Sequence, residues 1–162
     1  MNNNGTGPPS MVFREVVLLK RWHQGQEQVW DAFRRRWLVF GPEEWVRQQL
    51  AHDLVQRLGY PKSRLVIEKR VSQGEGAPRL DLLVLSKNGE PLVLVECKAP
   101  HVPLNEEVWW QVLGYGTRIP APVVAVTNGY SLQVRQWTTR GWVPRTELPP
   151  ASAWVQKPLT GK

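Results

Sequence analysis

Apolar residues recur along the middle of the chain at a spacing that changes from stretch to stretch, and those changes set out the elements. Val46, Leu50, Leu54 and Leu58 follow one another at helical intervals, as on a helix with one buried side. Gly41-Pro42 opens that run and Gly59 closes it. Proline suits a first helical turn, where its missing N–H is no loss, and glycine suits the residue past the end. Leu65 to Val71, Leu80 to Ser86, Pro91 to Lys98 and Val123 to Val126 are short and dense in Val and Leu, the pattern of strands buried on both faces. Asn105 to Tyr115 reads as a second helix, and Tyr130 to Trp137 as a last strand after the turn at Asn128-Gly129. Ahead of them lie a strand-like entry containing Val12 to Leu19 and a basic stretch in which Arg34, Arg35 and Arg36 stand next to Trp37. Helix, three strands, helix, strands is the order of an α/β domain, a central mixed β-sheet flanked by helices. Met1 to Ser10 is expected to be a disordered leader, residues 11–147 a single domain, and 148–162 a loose tail whose Trp154 and Val155 could dock on the body.

Two apolar runs flank Asn88-Gly89, the strongest short-range signal for a hairpin, because both turn positions favour positive φ. With these two residues as the loop, Lys87 faces Glu90, Leu85 faces Leu92, Leu83 faces Leu94, Asp81 faces Glu96 and Arg79 faces Lys98. Directly opposed side chains share a face with Cβ atoms roughly 4.5–5.5 Å apart. Alternation then sets Lys98 beside Glu96 and turns Cys97 to the other side. Two acids side by side at the end of a buried hairpin repel each other and lose hydration. Three arrangements would relieve them: an ion pair with Lys98 or Arg79, a proton retained on one carboxyl, or a divalent cation. For a hairpin taken alone the ion pair is the simplest. Two carboxylates also suit magnesium, which keeps waters and takes up substrate phosphates. A lysine on the same face would then lie within reach of a metal-bound water, a set of parts that serves phosphodiester hydrolysis. Whether Lys98 acts as a base or as an electrostatic stabiliser stays open at this point.

The first helix carries Glu43 and Glu44 in its opening turn. At about 100° per residue, Glu43 lies almost over Leu50 in the buried stripe, and Glu44 falls toward its edge near Ala51 and Val55. Glu43 is therefore expected to aim at the body, although both acids also complement the positive end of the helix.

Composition narrows the partners. The 162 residues include 21 Lys and Arg against 14 Asp and Glu, a formal charge of +7, and the pI of about 10.0 points to a polyanion. Arg34 to Arg36, with Lys69, Arg70 and Arg79, could form a phosphate-tracking surface. A lone cysteine, Cys97, excludes a disulfide framework and is expected to fill the core. The three histidines lack mutual metal-ligand spacing, and Gly74 and Gly76 suit a flexible turn rather than a phosphate loop. No apolar run reaches the ~20 residues of a membrane span, and the leader has no apolar signal core, so a reducing cytoplasm is expected. Most of the nine tryptophans are expected in the core, but Trp109 and Trp110 are adjacent on a helix, so one of them should be exposed.

An acid, a spacer of 14 residues and then Glu-x-Lys at the end of an apolar strand, here Asp81 and Glu96-Cys97-Lys98, resembles the PD-(D/E)xK nuclease superfamily, although Leu80 stands where the motif has proline. Gln111-Val112-Leu113-Gly114-Tyr115 fits the Gln-x-x-x-Tyr element of nuclease domains in type I restriction motor subunits and RecB-like enzymes. Gly41-Pro42-Glu43-Glu44-Trp45-Val46-Arg47-Gln48 leading to Leu58-Gly59-Tyr60-Pro61 looks like the opening helix of the type I restriction R-protein N-terminal domain, and the runs Val95 to Pro100 and Val126 to Gly129 also resemble that group. The resemblance covers roughly Val29 to Trp137 and is to the small stand-alone proteins of this group, since a helicase motor has no room here. It implies a restriction-endonuclease-like fold and a DNA endonuclease dependent on Mg2+ or Mn2+. Asp81, Glu96 and the Cys97 carbonyl would hold the metal, and Lys98 would stand near the water. Glu43 would be the helix acid, with Glu44 as fallback, and Gln111 and Tyr115 would orient the site or touch the DNA backbone. Lys69, Arg70 and Arg79 would lie toward the substrate. The partners implied are DNA and either a second copy or a restriction-system subunit. The alternative is a catalytically silent module that binds nucleic acid or assembles with a partner subunit.

Overall fold

The computed structural model describes residues 10–70, 79–116 and 118–155. A small antiparallel sheet comes first, made of β1 (Lys20–His23), β2 (Gln26–Asp31) and β3 (Arg36–Val39). Helix α1 (Pro42–Gln56) follows, then β4 (Leu65–Arg70), β5 (Arg79–Leu85), β6 (Pro91–Cys97), α2 (Glu106–Gly116), β7 (Val123–Thr127), β8 (Leu132–Thr138) and β9 (Gly141–Arg145). Strands β4 to β9 form one six-stranded sheet in sequence order. Every neighbouring pair is antiparallel except β6 and β7, which are parallel. A parallel pair needs a crossover, and α2 supplies it.

Alternation along the strands divides the core into two layers. Leu82, Val84, Val93 and Val95 pack with Val46, Leu50 and Leu54 of α1, while Leu83, Leu94, Val124 and Val126 pack with Val108, Trp109 and Val112 of α2. The sheet is thus covered by one helix on each face, the mixed α/β arrangement expected from the order of elements. The neighbouring tryptophans of α2 divide as anticipated: Trp109 is buried and Trp110 is exposed.

The hairpin reaches the expected register by a different route. Ser86 N–H donates to the Glu90 carbonyl at 2.8 Å, and only Gly89 has positive φ, at +84°. The loop is therefore Lys87-Asn88-Gly89, and Leu85 pairs with Pro91 instead of Leu92. A bulge between Val84 and Leu85 then absorbs the offset, so Leu83 meets Leu94 and Leu82 meets Val95 as predicted. The two one-residue irregularities cancel before the strands reach Asp81 and Glu96. On its other edge β5 pairs with β4, where Arg79 meets Arg70.

Three further expectations are corrected. Val12 to Leu19 is not a strand: its backbone is satisfied by α1 side chains, with Arg14 N–H on Asp53 Oδ1 at 3.2 Å and Gln49 bonding both the N–H and the carbonyl of Val16. Apolar alternation there seats Phe13 in the core without any ladder partner. The stretch read only as basic forms most of the β1–β3 sheet, and β9 was not foreseen. Of the tail, the stretch through Trp154 docks, with Leu148 buried and Trp154 Nε1 donating to Tyr60 Oη at 2.7 Å. Gly74, Gly76 and Val71 lie outside the described residues, as do the first nine and last seven.

Candidate active site

Asp81 and Glu96 lie at the end of the β5–β6 hairpin, both buried, at 7% and 4% exposure. The strand twists here. Leu80 packs in the α2 layer and Leu82 in the α1 layer, which strict alternation would forbid. Opposite the twist, Glu68 adopts left-handed backbone with φ +51°, and the β4–β5 ladder skips from Ile67–Leu82 to Lys69–Leu80. A non-glycine residue held in that region is strained, and such strain collects at functional sites.

Asp81 is gripped from two sides. Its Oδ2 accepts the Cys97 N–H at 2.7 Å, and its Oδ1 accepts from Arg47 Nη2 at 2.7 Å. Glu96 Oε1 pairs with Lys98 Nζ at 3.1 Å, while Glu96 Oε2 is buried with no hydrogen-bond partner. The Lys98 ammonium also donates to Gln111 Oε1 at 2.8 Å, and Gln111 Nε2 donates to Tyr115 Oη at 3.1 Å. Residues separated by one helical turn therefore line up as a relay that ends on Lys98.

Helix α1 contributes a second layer of charge. Arg47 pairs with Glu43, Glu44, Glu68 and Asp81, and Arg34 with Asp31, Glu44 and Glu68. Gln48 Nε2 donates to Glu44 Oε1 at 2.8 Å. The expected burial of the two helix acids is reversed: Glu44 is only 8% exposed, whereas the Glu43 side chain is 50% exposed. The stripe argument fails because α1 is buried over consecutive positions from Val46 to Ala51, so no single buried stripe exists to rank the acids. Glu43 still feels the site. Burial and then the Asp81 charge raise its pKa.

Burial, followed by the charge of Asp81, pushes the Glu96 carboxyl up to about 8, against the opposing pull of Lys98. Burial works against the Lys98 ammonium, but Glu96, Asp81 and Glu43 outweigh it and raise its pKa. Lys98 is thus a firmly protonated cation. Six acids (Asp31, Glu43, Glu44, Glu68, Asp81 and Glu96) meet three bases (Arg34, Arg47 and Lys98) in this connected cluster. The site is short of positive charge in a protein that has a surplus elsewhere.

The donor set is all carboxylate oxygen, which fits a hard divalent cation. Among the described residues no three His, Cys, Asp or Glu side chains converge as a ready-made metal cage. A two-carboxylate site on Asp81 and Glu96, completed by water and phosphate, is the form of binding magnesium uses. Glu96 Oε2, buried without a hydrogen-bond partner, is the oxygen that could meet such a cation.

The β5–β6 hairpin and α2 bring Asp81, Glu96, Lys98, Gln111 and Tyr115 into one neighbourhood. Arg34 is turned into the acid cluster, with 11% of its side chain exposed, and so leaves the phosphate-tracking surface, while Arg35, Arg36 and Arg79 are exposed. Lys69 and Arg70 lie in β4 by backbone, and their side chains fall outside the described residues. Arg47 and Glu68 escaped the reading of the sequence. Arg47 was signalled by its position three and four residues after Glu44 and Glu43 on a buried turn. Nothing local marks Glu68, which depends on the β4–β5 pairing.

Residues 42–149 match a family model described as the type I restriction enzyme R protein N terminus. Among solved structures, the chain is similar to a fragment assigned to an HsdR subunit of a type I restriction enzyme from Vibrio vulnificus YJ016. The two share 16% identity with a TM-score of 0.47, over 62% of this chain and 23% of that one. No curated protein matches. Among the described residues, no helix is long and apolar enough to cross a membrane.

Proposed function

The chain belongs to the type I restriction enzyme R protein N-terminal family, and from that premise we propose that it is a DNA endonuclease module of the PD-(D/E)xK kind, hydrolysing phosphodiester bonds with Mg2+ or Mn2+. The observation that carries this reading is the buried, unpartnered Glu96 Oε2 beside Asp81, in a cluster where acids outnumber bases. Asp81 and Glu96, with the Cys97 carbonyl, would hold the metal. When bound, a divalent cation offsets charge and makes a water a stronger nucleophile.

The chain's own residues supply the rest. Lys98 is held as an ammonium between Glu96 and Gln111, which suits an electrostatic stabiliser of the developing phosphorane charge and not a general base. Gln111 fixes where that ammonium points, and Tyr115 fixes Gln111. Exposed Glu43, one turn before Arg47, lies at the mouth of the site. Arg79, with Lys69 and Arg70, would carry the phosphate backbone past it.

Outside the acid cluster, eighteen Lys and Arg remain against eight Asp and Glu. A basic body around an acidic centre is the charge layout of a protein that draws in a polyanion and seats a cation beneath it.

The test is cleavage of supercoiled plasmid with magnesium or manganese. Asp81→Asn, Glu96→Gln and Lys98→Ala are each expected to abolish it, and nicking that survives all three refutes the site. One observation favours a second reading: Arg47 already occupies Asp81 Oδ1. A silent module that works with a restriction-system partner would bind DNA in a salt-dependent way without turnover, and would take up no manganese by calorimetry.

A further inference from the structure

The β1–β3 sheet lies outside residues 42–149, and of its residues only Asp31, at the end of β2, joins the acid cluster described above. The pairing Arg21–Gln28–Val39 and Trp30–Trp37 fixes which side chains share a face. Val29, buried at 0% exposure, marks the opposite face as the one turned to the body. Arg21, Gln28, Trp30 and Trp37 therefore share the face away from the body, with Arg21 exposed and the two tryptophans half-buried.

They do so in an ordered way. The indoles of Trp30 and Trp37 meet edge to face at 5.6 Å. The Arg21 guanidinium lies over Trp37, 4.2 Å from the ring centroid, and its Nε donates to Gln28 Oε1 at 2.9 Å. This is a preformed stack of aromatic and guanidinium planes on the solvent side of a sheet.

The turn beyond the Trp30–Trp37 rung is bolted to the candidate active site. Asp31 accepts the N–H groups of Phe33 and Arg34 at 2.7 and 2.9 Å, and Arg34 reaches on to Glu44 and Glu68. Arg35 is exposed at the same turn, so the rung ends in positive charge, whereas Arg36, opposite Asp31, lies on the other face. Aromatic planes, a stacked guanidinium and neighbouring cations match the two parts of a nucleotide, a flat base and a phosphate.

We propose that the outward face of the β1–β3 sheet is a binding platform for an unpaired nucleic-acid strand, with bases stacking on the Arg21–Trp37–Trp30 array and phosphates passing Arg35. A paired duplex hides its base faces, so the platform distinguishes an unpaired strand from a duplex.

The test is binding of fluorescein-labelled dT20 and a 20-base-pair duplex to the full chain by anisotropy, with chelator present so that no metal site is involved. Wild type is expected to bind dT20 more tightly than duplex. Arg21→Ala is expected to weaken dT20 binding by about tenfold and to erase that preference. Arg21→Lys, which keeps the charge but loses the plane, is expected to fall between them. Trp22→Ala, whose side chain lies on the other face of the same strand, should bind dT20 as wild type does. If Arg21→Ala binds dT20 as wild type does, or Trp22→Ala loses as much as Arg21→Ala, the proposal fails. It also fails if sedimentation shows that Arg21→Ala abolishes a wild-type dimer, because the face is then a contact between copies. The chelator keeps any metal site out of the binding assay and plasmid cleavage is scored separately, so failure of the nuclease reading and failure of this one are separable.

Discussion

The Arg47 guanidinium holds Asp81 Oδ1 at 2.7 Å from the middle of a buried helix. The same side chain also meets Glu43, Glu44 and Glu68. One cation on α1 thus neutralises acids from α1, β4 and β5, and its own pKa is raised because Asp81 and Glu44 outweigh the burial that opposes it.

Removing that cation leaves buried acids uncompensated. Arg47→Met is expected to cost about 3–5 kcal/mol of stability, read by urea unfolding. Millimolar Mg2+ should restore part of the loss, since a divalent ion can take over the charge. A variant as stable as wild type without metal would show that Arg47 does not bear this load.

Glu96 makes stability depend on pH. Its proton is held more tightly in the folded protein, where the carboxyl is pushed up to about 8, than at the ordinary value of 4.5. The folded state therefore binds the extra proton between those values, and the Glu96 contribution is fully present below about 4.5 and is lost as pH climbs through 8. Glu96→Gln removes the titration. Its melting temperature relative to wild type should rise steadily from pH 5 to pH 8.5, and a constant difference across that range would contradict the burial argument. Mg2+ should raise the wild-type melting temperature more at pH 8.5 than at pH 5.5, because metal must displace the proton.

Lys98 and Gln111 should separate in a kinetic comparison. Lys98→Ala is expected to lower the cleavage rate by roughly 10²–10⁴ while leaving manganese uptake by calorimetry intact or tighter, because a competing cation has gone. Gln111→Ala, which only frees the ammonium to wander, should lower the rate less. Equal losses in the two would mean that Gln111 touches substrate itself.

At Val16 the strap before β1 is held by the Gln49 amide. Gln49→Leu removes both hydrogen bonds to Val16 and is expected to cost about 2 kcal/mol. Amide exchange at Val16 should accelerate while exchange in β6 and β7 shifts only by the global change. Protection of Val16 unchanged in the variant would mean that the strap is held elsewhere.

What could be read along the chain was whatever neighbouring residues impose on each other. Helical spacing from Val46 to Leu58 placed α1, Val and Leu density placed β4 to β7, and the glycine turn carried Asp81 to the side of Glu96, even though the loop has three residues and a bulge restores the register. Gln111 and Tyr115 share a helix face by spacing alone. The family resemblance was legible for the same reason, since its motifs are short runs.

Contacts across elements were another matter. That Glu44 is buried and Glu43 exposed follows from α1 being enclosed on several sides, which a one-stripe projection cannot represent. Arg47 reaches Asp81 across 34 positions, Arg34 reaches Glu68 across 34, and Glu68 takes its left-handed backbone where the β4–β5 ladder skips a pair. Val12 to Leu19 has the alternation of a strand, yet it finds its backbone partners on the side chains of Gln49 and Asp53. Periodicity reports which residues avoid water. Only the folded chain determines which charges share a buried space, because that depends on distances between segments that no local spacing encodes.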